Sequence, residues 1–141
     1  MKRWLLKNAV VYAETGKIDQ GYVLIEGEKV ADVGPMSLCP ADVGAEVIEL
    51  SSRFAIVPGF IDVHIHGAAG ADVMDATPVA IQAMANALPA EGTTSFLATT
   101  MTAPSEQIEA ALVNVARYME RENDPGAAEV LGVHLEGPFL S

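Results

Sequence analysis

The sequence predicts an α/β fold in two parts, a β-rich segment over residues 1–57 and strand-helix units over residues 58–141. Three observations carry this reading. Short apolar runs separated by turn residues fill the first part. Apolar runs in the second part start at residues 60, 94 and 130, an almost even spacing that suits a right-handed βαβ repeat and a parallel sheet. Between those runs lie two stretches with helical periodicity and helix start signals.

In the first part, Trp4-Leu5-Leu6 and Ala9-Val10-Val11-Tyr12 form one strand region. Runs at 22–26 and 29–33 flank Gly27-Glu28, which reads as a tight hairpin turn. Val47-Ile48-Glu49-Leu50 and residues 54–57 supply two more strands, and Gly16 and Gly21 read as turn glycines. Several short strands with little helix between them suggest a small β-sandwich or open barrel.

The second part opens with an apolar run at 60–64, after Pro58-Gly59. Thr77 can cap a helix with Pro78 at its first position. Ile81, Met84 and Leu88 then share a face, Pro89 disturbs the last turn, and Gly92 ends it. A Thr-rich strand follows at 94–100. Ile108, Leu112, Val115 and Met119 form the apolar stripe of a second helix. Its end, Glu120-Arg121-Glu122, reads as solvated, and Pro125-Gly126 breaks the chain before a strand at 130–135. Leu131, Val133 and Leu135 are expected to pack against the helices, and Met84 and Met119 to face the core.

A (β/α)8 barrel needs about 250 residues. Residues 60–141 leave room for three strands and two helices. Either this is a small three-stranded α/β domain, or it is the N-terminal part of a (β/α)8 TIM barrel preceded by a small β-sandwich-like segment. The chain stops directly after Gly137-Pro138-Phe139, and the second reading is the expectation taken here.

Lys and Arg total 8 against 19 Asp and Glu, for a formal net charge of −11. That balance argues against nucleic acid or an anionic membrane as partner, since both need basic patches. Cys39 is the only cysteine, which excludes an intrachain disulfide and fits a cytoplasmic location. No apolar run is long enough for a signal peptide or a membrane span.

The chemistry gathers at strand ends. His64 and His66 are two apart, so on an extended strand both point the same way, as does Asp62. Two imidazoles on one face can ligate a divalent ion through neutral nitrogens. A lone His-x-His also fits surface histidines or a buried hydrogen-bonded pair. Its place at the end of the first parallel strand favours the ligand reading. His134 and Glu136 share parity at the end of the third strand, and a carboxylate is a hard oxygen ligand for zinc, iron or manganese. Asp72 and Asp75 read as turn or cap residues. Thr93, Thr94, Thr99, Thr100 and Thr102 read as β-formers with hydroxyls bonded to backbone.

These segments resemble a known family. Pro58-Gly59-Phe60-Ile61-Asp62-Val63-His64-Ile65-His66-Gly67 is similar to the first barrel strand of the amidohydrolase superfamily. Residues 66–72, Glu91-Gly92-Thr93-Thr94-Ser95-Phe96 and His134-Leu135-Glu136-Gly137-Pro138-Phe139 resemble its N-acetylglucosamine-6-phosphate deacetylase family. The resemblance implies hydrolysis of N-acetylglucosamine 6-phosphate to glucosamine 6-phosphate and acetate in amino-sugar catabolism. It implies one or two divalent metal ions (Zn, Fe, Mn or similar), with Glu136 as ligand and His64 and His66 holding a second ion. It also implies a homodimer. The family's catalytic aspartate lies on a late strand and two further histidine ligands on middle strands, none of them before Ser141. The 141-residue chain by itself is therefore expected to lack deacetylase activity.

Overall fold

The computed structural model describes residues 1–41, 43–121 and 124–139. The chain divides into two compact units, Met1–Pro58 and Gly59–Ser141.

In the first unit, β1 (Arg3–Ala13), β2 (Gly16–Glu26) and β3 (Lys29–Pro35) form an antiparallel meander. β4 (Glu46–Glu49) and β5 (Ala55–Ile56) both run parallel to β1. The β2–β3 turn is the expected hairpin: Glu26 pairs with Lys29, and Gly27 takes a φ of 62° that suits glycine. Among the described residues these strands make one mixed sheet. One face, with Leu5, Tyr22 and Leu24, is covered by Met36, Cys39, Val43 and Ala45 from the stretch after β3. Cys39 is a free thiol in that packing. Gly21 is not a turn residue. It sits inside β2 opposite Ala9, where a Cβ would come within 2.7 Å of Val11 Cγ2.

The second unit is mixed α/β. β6 (Phe60–Ile65), β9 (Thr93–Thr99) and β10 (Glu129–His134) form a parallel sheet in the order β10-β9-β6. A small hairpin, β7 (Gly67–Ala68) with β8 (Ala71–Asp72), follows β6. α1 (Pro78–Ala87) precedes β9 and α2 (Ser105–Met119) precedes β10. Thr77 caps α1 by accepting the Ala80 N–H, and a 3-10 turn from Leu88 to Glu91 ends on Gly92 in the left-handed conformation. Ile81, Met84, Leu88, Phe96, Val115, Tyr118 and Val130 fill the core. No helix among the described residues is long and apolar enough to cross a membrane.

Two packing expectations fail. α2 buries Ile108, Ala111, Val115 and Tyr118, leaving Met119 44% exposed. The Tyr118 ring takes the core position at the last turn. Leu131 on β10 and Leu135 just after it are 45% and 56% exposed. A bulge between Val130 and Gly132 takes up Leu131, so Val130 faces the core in its place, while Val133 packs against the core as expected. Glu120 and Arg121 are exposed, and Glu122 lies outside the described residues.

Candidate metal centre

The parallel strands bring three donors together at their C-terminal ends. His64 Nε2 lies 3.2 Å from His66 Nε2 and 3.2 Å from Glu136 Oε2, and His66 Nε2 lies 3.6 Å from the same oxygen. His64 comes from the end of β6, His66 from just beyond it, and Glu136 from the segment after β10. The site is open, with the side chains of His64 and Glu136 45% and 28% exposed.

Backbone contacts orient these donors. His66 Nδ1 is 3.3 Å from the Thr99 carbonyl. A carbonyl only accepts, so Nδ1 carries the proton and the neutral ring keeps a lone pair at Nε2. The His66 carbonyl accepts from Val73 N–H at 2.8 Å, at the head of a 3-10 turn closed by a capping box between Asp72 and Asp75. Those two acids are cap residues, as the sequence suggests. Glu136 is held by Thr100, whose hydroxyl bonds both of its backbone groups. Thr99 and Thr100 are fully buried.

The donor set fits a divalent ion. Two imidazole nitrogens and a carboxylate oxygen face one another at these distances, and a cation among them would bond all three. Tetrahedral ligands about 2.05 Å from zinc stand about 3.3 Å apart, close to the three observed separations. Holding the far ring nitrogen of a ligating histidine on a carbonyl is the usual way such a ligand is oriented.

Asp62 and His134 stand outside this donor group. The Asp62 carboxylate accepts the His64 N–H at 3.0 Å, and His134 Nδ1 bonds the Val63 carbonyl at 2.8 Å. Sequence reasoning placed both near the site but missed these ties, as it missed the clasp of Thr100 on Glu136. Each runs between a side chain and a backbone group, which strand parity does not reveal. A groove of about 610 Å³ bounded by Pro78, Glu106, Asn114 and Arg117 shares no residue with the donor triangle.

A sequence profile of the amidohydrolase family matches residues 55–141. An N-acetylglucosamine-6-phosphate deacetylase from Bacillus subtilis is 41% identical over 97% of this chain and 34% of its own length. An N-acetylgalactosamine-6-phosphate deacetylase from Escherichia coli O157:H7 is 35% identical over 97% of this chain and 34% of its own. A Mycobacterium smegmatis N-acetyl-D-glucosamine-6-phosphate deacetylase variant, solved with N-acetyl-D-glucosamine-6-phosphate, superposes with a TM-score of 0.83 at 28% identity, covering all of this chain and 34% of that one. The chain thus spans about a third of the length of the relatives it matches.

Proposed function

The chain belongs to the amidohydrolase family, and on that premise we propose that the whole protein hydrolyses N-acetylglucosamine 6-phosphate to glucosamine 6-phosphate and acetate. The observation that carries the proposal is the triangle of His64, His66 and Glu136 at the C-terminal ends of parallel strands. That is where (β/α)8 enzymes place their chemistry. The names of the relatives supply the substrate. The parallel β6, β9 and β10 with their intervening helices are read as the first three strands of a (β/α)8 barrel, and residues 1–57 as part of a small β domain. The lone free thiol of Cys39 supports a cytoplasmic location.

In this reading His64, His66 and Glu136 hold a divalent ion, zinc, iron or manganese, alone or as half of a pair. Such an ion lowers the pKa of bound water towards about 7 and polarises the amide carbonyl. The residues of this chain supply the holding. Thr99, through its carbonyl, keeps the His66 lone pair aimed at the site. Thr100 fixes the backbone from which the Glu136 carboxylate projects. The three donors supply only part of the machinery this reading needs, so the 141 residues are proposed to be inactive by themselves.

The test is acetate release by the full-length protein from N-acetylglucosamine 6-phosphate, before and after removal of metal by a chelator. Activity that survives complete metal removal, or none with metal restored, sinks the proposal. The E. coli relative's name favours a second reading, a different N-acyl sugar phosphate as substrate. Assaying the 4-epimer and unrelated amides beside the first substrate separates the two. Stoichiometric metal binding without hydrolysis of any of them points to a noncatalytic metal module.

A further inference from the structure

We propose that His134 is a positioning residue for the metal centre, clamping the peptide unit from which His64 projects. The proposal rests on the metal-centre reading above. β6 is irregular where its donors lie: its pairing with β9 steps from Asp62 opposite Phe96 to Ile65 opposite Ala98, so β6 carries one residue more than its partner. Such a bulge takes backbone groups out of the ladder, and they need other partners. Side chains provide them. Asp62 Oδ1 accepts the His64 N–H at 3.0 Å, and Thr99 Oγ1 accepts the Ile65 N–H at 2.9 Å. The Val63 carbonyl accepts from His134 Nδ1 at 2.8 Å, the shortest of the three.

The Val63 carbonyl and the His64 N–H belong to one planar peptide unit. His134 holds one side of that plane and Asp62 the other. Fixing the plane fixes the direction in which His64 leaves the backbone. His134 acts from β10, which is not a neighbour of β6, so its ring reaches past β9. It also packs edge-on against the His64 ring, with centroids 4.5 Å apart and planes at 67°. It therefore restrains both the backbone and the ring of one donor without joining the donor group. The carbonyl forces the proton onto Nδ1, so the tie depends on that nitrogen.

The experiment uses the full-length protein and measures affinity for Zn²⁺ by chelator competition and the visible spectrum of the Co²⁺ form. His134→Ala is expected to weaken Zn²⁺ binding about 10- to 100-fold and to alter the cobalt spectrum. His134→Asn, which returns an N–H near the Nδ1 position, is expected to recover most of both. His134→Gln, with its amide set farther out, replaces the alanine variant where the latter does not fold. The melting temperature of each metal-free variant separates a loss of fold from a loss of positioning. Wild-type affinity and spectrum in His134→Ala, or an asparagine variant as weak as alanine, overturns the proposal while His64→Ala still loses metal. Wild-type metal binding in His64→Ala and Glu136→Gln overturns the metal centre itself, and this proposal with it.

Discussion

Thr100 and Glu136 hold each other by a reciprocal pair of hydrogen bonds: the Glu136 N–H donates to Thr100 Oγ1 at 2.9 Å, and the same hydroxyl donates to the Glu136 carbonyl at 3.1 Å. One buried hydroxyl thus satisfies both backbone groups of a candidate ligand. Thr100→Val keeps the shape and removes both bonds. Groups left unpaired in a buried setting cost about 1–3 kcal/mol, and loss of a ligand's support lowers metal affinity about tenfold or more. Chelator competition and urea unfolding measure the two effects. Thr100→Ser should behave like wild type, and an equally unaffected valine variant would show that the clasp does not matter.

Glu136→Gln keeps the size of the side chain and removes its charge. In the full-length protein, metal content and deacetylation are expected to fall together, because the amide is a poor ligand for a divalent ion. Elemental analysis of the purified variant is the check. A full complement of metal would take Glu136 off the ligand set.

Gly137 has a φ of +85°, and a Cβ there would stand 2.7 Å from the Thr102 Cα. The obstacle is backbone, so no rotamer change relieves it. Gly137→Ala is expected to lose at least about 1–3 kcal/mol of stability from the left-handed conformation alone, and to displace Glu136. Denaturant midpoints that match wild type would contradict this.

Tyr22 reports on the first unit. Its hydroxyl donates to Asp32 Oδ2 at 2.6 Å, and that bond, followed by burial, pushes its pKa up from 10.0 to about 12. The folded chain therefore favours the protonated phenol. The resulting stabilisation is complete below pH 10 and is lost as pH rises through about 12. Urea midpoints across that interval should fall further for wild type than for Tyr22→Phe. Parallel curves would mean that the bond to Asp32 does not favour the phenol.

The order of elements was legible because turn residues and periodicity mark it: Gly27 at the hairpin, Thr77 and Pro78 opening α1, Gly92 closing it. His64 and His66 stood out because the chain has 3 histidines, and Glu136 because it follows a strand end beside Gly137-Pro138. Facing was less so. The bulges in β6 and β10 change which side a residue takes, and nothing in the local sequence fixes where an extra residue is absorbed. That is why Leu131 was assigned to the core and lies outside it. The supports of the site were illegible for a related reason. Thr99, Thr100 and His134 act on backbone groups of other strands, and such partners become visible only once the sheet is assembled.

The donors stand at the ends of β6 and β10, with β9 between those strands. An ion shared by His64, His66 and Glu136 would close α1, β9 and α2 into one covalently continuous ring. Closing so long a loop removes freedom from the unfolded chain, and unfolding must release the ion. Stability then rises with free metal by mass action, and the melting temperature becomes a gauge of how full the site is.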